Sequence, residues 1–342
     1  MRVAVIVTSA RVVDASWTTA HLIDAMTRLG HVVRLFEPTD FEVTSAGRLV
    51  ARAWCIDQPE ADVEALSALI KQQAAPRRYV ELSNIDLLLV RVNPMPGYLL
   101  QLLLMAADQG VICVNHPSGL ARTRGKAWLA SLADVPRPPT VLTASPASVL
   151  TFARQLGGPV VVKPTQGSGG RGVRLVAEGD DTALEKAVIA ARTYGGQAII
   201  QGYMPEAEAG EKRLFWVNGR LVGGYLRTRG EGEFRHNLKQ GGQPAPCAVE
   251  PADEALCAAI SPHLLANGIA VAGLDVIGGK LVEVNTLNPG GVHWADHFSD
   301  APPGTLATVV VRALEDIVAR GEGAVRPSAG AQQPQSRSDD AS

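Results

Sequence analysis

Residues 273–291 read GLDVIGGKLVEVNTLNPGG, with acids at Asp275 and Glu283 and an amide at Asn285, in an apolar run broken by Gly278 and Gly279. Hard oxygen donors of this kind suit Mg²⁺, which completes its shell with water and phosphate oxygens. They converge only if the segment is a hairpin of suitable register. A two-residue loop puts Asp275 and Glu283 on opposite faces, because strand side chains alternate. A three-residue loop with a glycine bulge sets Asp275 across from Glu283, and Asn285 then lies two residues further along the same face. Leu274, Val276, Val282 and Val284 would share the other, buried face. The three-residue register is the expectation, since it separates oxygen from hydrocarbon; a half-exposed hairpin with incidental acids is the alternative.

Two further stretches carry groups suited to a nucleotide. VVVKPTQGSGGRGVRLV runs strand, Lys163, a loop from Gly167 to Gly172 (with Gly169 and Gly170 between), and strand again. Closely spaced glycines let backbone amides approach phosphate oxygens, and Lys163 adds a point charge. The loop is neither a Walker A motif nor a dinucleotide fingerprint, because a strand rather than a helix follows it. Alone it also fits a glycine-rich surface hairpin. In QGYMPEAEAGEKRLFWVNGRLVGGYLRTR, the strand end at Gln201, Tyr203 and Met204 can line an adenine pocket. Glu211 can accept from ribose hydroxyls, and Arg213 and Arg227 alternate onto the ligand face. Taken singly, each is also readable as a solvated strand charge. GEGEFRHNLKQGGQ, with Arg235 and Asn237, is too polar for core and reads as a lid-like loop.

These stretches need a scaffold. The chain has 342 residues, 46% hydrophobic and 19% charged, enough for two to three domains. A formal net charge of −2 and a pI near 6.4 give no basic surface for nucleic acid. Strand-like VAVIVTS, VVRLFE, IDLLLVRVN and VICVN alternate with helical WTTAHLIDAMTRLGH (Gly30 as its C-cap), EALSALIKQQ and YLLQLLLMAADQGV, which points to a parallel α/β domain over residues 1–118. Mixed α+β segments follow over 119–200 and 201–322, and the tail 323–342 lacks apolar periodicity and reads as disordered. Cys55, Cys113, Cys247 and Cys257 form no C-x-x-C pair and read as buried or incidental thiols. No apolar run reaches the roughly 18 residues of a membrane span. The N-terminus does not read as a signal peptide, so a cytoplasmic location is expected.

Taken together, VVVKPTQGSGGRGV, GEKRLFWVNGRLVGG, FRHNLKQGGQ and GLDVIGGKLVEVN resemble the prokaryotic glutathione synthetase family of the ATP-grasp superfamily, over roughly residues 1–320. The resemblance implies a pre-ATP-grasp α/β domain, a central lid domain and a C-terminal ATP-grasp domain. By position, Lys126 and Lys163 match ATP-phosphate lysines, Gly167–Gly172 the phosphate-covering loop, and Gln201, Tyr203 and Met204 the adenine strand. Glu211 matches the ribose contact and Arg213 a nearby nucleotide or substrate contact. Arg227, Arg235 and Asn237 match residues around a mobile substrate loop, and Asp275, Glu283 and Asn285 the metal ligands. The implied reaction joins a small-molecule acid and amine with ATP and Mg²⁺ (Mn²⁺ being the substitute) through an acyl phosphate. Glutathione is the first product expected, a sibling ligase or a non-catalytic nucleotide-binding protein the alternatives. Neither nucleic acid nor membrane is a partner, and the family's tetramer suggests a homo-oligomer. The chain departs from the family where the acceptor binds: Asn93 stands in VRVNPMPGY where the family has an acid, and NPGGVHWADHF brings His293, Trp294 and Asp296.

Overall fold

A computed structural model describes residues 1–321 except Ser168, Tyr194, Glu231, Lys239 and Gln240; the tail read as disordered lies outside the described residues. The chain opens with β1 (Arg2–Val7), α1 (Thr18–Arg28), β2 (Val32–Phe36), β3 (Phe41–Val43), β4 (Leu49–Ile56), α2 (Val63–Lys71), β5 (Arg77–Glu81), β6 (Leu87–Arg91), α3 (Gly97–Asp108) and β7 (Cys113–Val114). The four apolar runs of β1, β2, β6 and β7 pair parallel in the order β2-β1-β6-β7, and β1 and β6 are buried almost throughout, as a sheet covered on both faces requires. The sheet is mixed rather than wholly parallel: β4 runs antiparallel beside β2, with β3 and β5 paired antiparallel to it. Gly30 at φ +77 closes α1, and the His31 amide reaches back to the Met26 carbonyl.

α4 (Pro117–Thr123) and α5 (Ala127–Ala130) lead to a smaller unit of β8 (Thr140–Thr143), α6 (Pro146–Leu156), β9 (Val160–Pro164), β10 (Arg174–Val176), α7 (Asp181–Arg192) and β11 (Ala198–Gly202). Its antiparallel sheet, ordered β10-β9-β11-β8, carries α6 and α7 over a core of its own that includes Val149, Val162, Leu184, Val188 and Ile200. α6 starts at Ser145, whose hydroxyl accepts from the Ser148 amide, and stops at left-handed Gly157.

The rest is β12 (Glu211–Val217), β13 (Arg220–Thr228), β14 (Gln243–Ala245), α8 (Pro251–Ala266), β15 (Val271–Ile277), β16 (Lys280–Asn285), α9 (Val292–His297) and α10 (Thr305–Arg320). The sheet order is β14-β13-β12-β15-β16. This sheet shares continuous hydrophobic cores with the N-terminal sheet, including Leu214, Trp216 and Leu274 beside Ile6 and Leu88. Asn115, buried just after β7, fastens the two. Its amide donates to the Val271 and Thr286 carbonyls at 2.7 Å each and accepts from the Ala270 and Val271 amides at 2.8 Å each. An amide side chain with all these bonds made holds the end of the first sheet against β15, where the acids of the opening motif begin.

Candidate active site

Strand register gathers the charged residues. Reading across β13, β12, β15 and β16, Tyr225, Arg213, Asp275 and Glu283 stand directly opposite one another, and Arg227 faces Glu211 one step along. Residues two apart share a face, so Glu211, Arg213, Arg227, Asp275, Glu283 and Asn285 form one polar patch. Arg213 grips both oxygens of Asp275, with Nη2 to Oδ2 at 2.9 Å. Arg227 Nη2 lies 2.6 Å from Asp275 Oδ1 and also pairs with Glu211. Asn285 Nδ2 donates to Asp275 Oδ2 at 3.0 Å. Asp275 is thus buried at 3% exposure against charge, on the side of Glu283 and Asn285.

The register arises differently from the expectation. Gly278 and Gly279, at φ +52 and +71, make a two-residue turn with Ile277 opposite Lys280. The parity that such a turn would spoil is restored by a bulge: Val276 faces Leu281 while Asp275 faces Glu283, leaving Val282 unpaired. Leu274, Val276 and Leu281 are therefore the core residues, and Val282 lines the cavity instead of joining the buried face. Val284 is half-buried against the core.

Over this patch the smaller sheet forms a roof, and the cavity between is lined by every nucleotide-, metal- and lid-site residue expected from sequence except Gly172, while Asn93, His293, Trp294 and Asp296 lie outside it. Gly172, at φ +74, has little room for a side chain, since a Cβ there would come within 3.3 Å of Pro164 Cγ, so it shapes the loop rather than the wall. Lys163 Nζ donates to Gln201 Oε1 at 2.7 Å, joining β9 to β11. Lys126 Nζ sits 3.0 Å from Glu283 Oε1 and donates to the Gly167 carbonyl at 3.1 Å. Arg235 Nη1 donates to the Gly170 carbonyl at 3.0 Å, so the two glycine-rich loops touch over the cavity. A Cβ at Gly170 would come within 3.2 Å of Arg235 Cδ.

Burial sets the electrostatics. It would raise the Asp275 pKa, yet Arg213 and Arg227 outweigh it and hold the carboxyl at about 2. Burial pushes Glu211 up to about 7, Arg227 opposing and Asp275 reinforcing. Lys163 is lowered by burial, with Glu283 opposing and Lys126 adding. Among the described residues no three His, Cys, Asp or Glu side chains converge as a ready-made metal cluster. The residues present nevertheless fit a hard divalent cation. Two carboxylates and an amide share one face at the wall of the cavity, the hard oxygen donors that such a cation takes.

Sequence reasoning passed over Glu233, which ion-pairs Arg235, and His236, whose Nε2 lies 2.7 Å from the Ala207 carbonyl. Both lie in a loop without periodicity, so no pattern marked them. Asp296 turns out to be a helix cap: its carboxylate accepts from the Gly304 and Leu306 amides at the start of α10. His293 meets His21 at 3.1 Å, while Trp294 lines a second cavity beside the first. All four cysteines are free, and burial lifts Cys113 to about 12.

The three-part fold and a lysine- and arginine-lined cavity between two antiparallel sheets define an ATP-grasp ligase. Enzymes of this class use ATP and divalent metal ions. The family model for the prokaryotic glutathione synthetase N-terminal domain matches residues 1–121, and that for the prokaryotic glutathione synthetase ATP-grasp domain matches 126–300. The chain belongs to the prokaryotic glutathione synthetase family. It is 28% identical to the glutathione synthetase of Synechocystis sp. over 82% of this chain and 89% of that one. Against the glutathione synthetase of Parasynechococcus marenigrum it is 33% identical over 71% and 79% of the two chains. Its fold is similar to D-cycloserine synthetase, with TM-score 0.64 at 16% identity over 92% of this chain and 99% of that one. The D-alanine–D-alanine ligase of Bacillus anthracis complexed with ATP gives 0.59 at 14% identity, over 94% and 99%. No helix among the described residues is long and apolar enough to cross a membrane.

Proposed function

We propose that this chain joins an acid to an amine at the expense of ATP, with γ-glutamylcysteine and glycine as the first pair to test and glutathione as product. The observation that carries the reading is the single face on which Asp275, Glu283 and Asn285 meet Arg213 and Arg227 beneath Lys126 and Lys163. In the first step a donor carboxylate oxygen attacks the γ-phosphorus and the bond to the ADP oxygen breaks. In the second the amine nitrogen attacks the acyl carbon, the carbon–oxygen bond to phosphate breaks, and phosphate leaves with the amine's proton. Charge builds on phosphoryl oxygens, so positioning and fixed cations do most of the work. Lys126 and Lys163 hold phosphate oxygens, while Gln201, Tyr203 and Met204 seat the base and Glu211 the ribose. Gly167, Gly169 and Gly170 cover the phosphates. Arg213, Arg227, Arg235 and Asn237 brace the transferring group, with Arg235 tying the lid loop to the glycine loop so that water is kept from the acyl phosphate. Mg²⁺ held by Asp275, Glu283 and Asn285 would neutralise the triphosphate. The test is ADP release dependent on both substrates, with the product mass confirmed by mass spectrometry. ADP release without an amide product from any acid and amine pair refutes the reading.

A further inference from the structure

The second cavity, about 540 Å³, opens where the ends of β1 and β6 meet. That is the switch point of the N-terminal sheet, where the chain leaves β1 for β2 on one side and β6 lies on the other. Its volume is in the range of sites that hold ligands far larger than a two-carbon amino acid. Arg91 at the end of β6 is 4% exposed. Its Nε donates to Thr19 Oγ1 and its Nη1 to the Pro289 carbonyl, both at 3.0 Å, and Nη2 makes no hydrogen bond among the described residues. Among the described residues no carboxylate faces it: burial lowers its pKa to about 9 with nothing opposing, whereas similarly buried Arg227 is held up by Asp275 and Glu211. A buried, unpaired guanidinium is costly unless a ligand supplies the anion. α1 begins at the same wall without a side-chain cap, adding its positive end.

Two more features narrow the ligand. Among the described residues no aspartate or glutamate lines this cavity. An ammonium would find no counter-ion there, and the nearby arginines favour the neutral amine that attack on an acyl phosphate requires. The mouth is greasy: Trp17 and Val12 are 41% and 50% exposed, and Trp294 faces in beside them. The adjoining cavity carries Arg122, Arg124 and Arg171, none in an ion pair among the described residues, and suits the more anionic donor acid. Asn93 and Asn288 line both cavities, so ligands in the two can meet.

Resting on the ligase reading above, we propose that the cavity over Arg91 seats the amine substrate as an α-amino acid. Its carboxylate lies on Arg91 and its side chain against Trp17 and Trp294, so acceptors extend beyond glycine to amino acids with apolar side chains. The test uses the whole enzyme with ATP, Mg²⁺ and γ-glutamylcysteine. Glycine, alanine, leucine and phenylalanine are compared with their carboxamides by ADP release and product mass. The apolar amino acids should ligate with kcat/KM within about tenfold of glycine, and each carboxamide should fall by on the order of 100-fold, the loss expected when a charged hydrogen-bond pair is broken. Arg91→Met should erase that discrimination while leaving KM for ATP unchanged, and Arg91→Lys should keep part of it. A merely structural arginine would affect acid and carboxamide alike. Carboxamides that ligate as well as the acids, discrimination that survives in Arg91→Met, or acceptance of glycine alone overturns the proposal, the wild-type comparison standing even if the variants fail to fold. If no amine yields an amide, it is the ligase reading that fails.

Discussion

Glu211 gives a prediction whose size follows from its surroundings. Its carboxyl is pushed from an ordinary value of 4.5 to about 7 by burial, with Asp275 reinforcing and Arg227 opposing. The folded protein therefore binds more protons than the unfolded chain between those values, and this group's contribution to stability declines as pH rises through the window. At roughly 1 kcal/mol per pK unit the full gap is about 3 kcal/mol, most of which falls between pH 5 and pH 8. Glu211→Gln keeps an oxygen for Arg227 and removes the titration. In urea unfolding of the ligand-free protein, the variant should match or trail the parent at pH 5 and gain about 2–3 kcal/mol on it by pH 8. Saturating Mg²⁺ and ATP should shrink the difference, since a cation beside the acids offsets their mutual repulsion. A gap between the two proteins that stays flat across pH would show that Glu211 is ionised throughout and that burial does not hold its carboxyl up as argued.

Other perturbations separate chemistry from scaffold. Glu283→Gln should abolish product formation at ordinary Mg²⁺ with an unchanged unfolding midpoint; undiminished turnover would remove this residue from the metal set. Arg235→Ala breaks the contact with the Gly170 carbonyl and should lower kcat by more than tenfold while nucleotide affinity in a binding titration changes little. Loss of ATP affinity alone would contradict a lid role. Asp296→Ala strips two amide acceptors from the start of α10 and should cost about 1–2 kcal/mol in urea unfolding, with KM values intact. A catalytic Asp296 would show the reverse pattern.

The legibility of the sequence followed the physics of each segment. β1, β6, α1 and α7 were readable because buried strands are continuously apolar and amphipathic helices repeat every three to four residues. The antiparallel flank β3–β5 was not. RRYVE is charged and partly exposed, and LVARAWCI mixes arginine and alanine into an edge-side strand, so neither shows a clean period. The hairpin brought Asp275, Glu283 and Asn285 to one face as expected but did so through a bulge that turns Val282 out of the buried face, and a bulge is set by tertiary packing that no local pattern encodes. Arg91 escaped notice for a related reason. Its sequence context, LLLVR, is that of any strand end, and only the absence of a nearby acid among the described residues, visible in three dimensions, marks it out.

The same absence of local signal explains why the charged patch reads differently with and without a nucleotide. In the structure each acid already has a cation: Glu283 holds Lys126, Asp275 holds Arg213 and Arg227, and Glu211 shares Arg227. Buried ion pairs of this sort give little net stability, because desolvation nearly cancels attraction. Exchanging partners is therefore cheap. On the proposed reading, triphosphate oxygens would take Lys126 and Lys163, and Glu283 would be left with free lone pairs beside Asp275 and Asn285 where a cation could be held. A chain that kept its acids unpaired until then would carry a larger repulsive field in its resting state, adding to the burial that already raises Glu211. Lys126 would thus do two jobs in sequence on that reading, as the counter-ion of Glu283 first and a phosphate ligand second, and the acids' readiness for metal would depend on that hand-over.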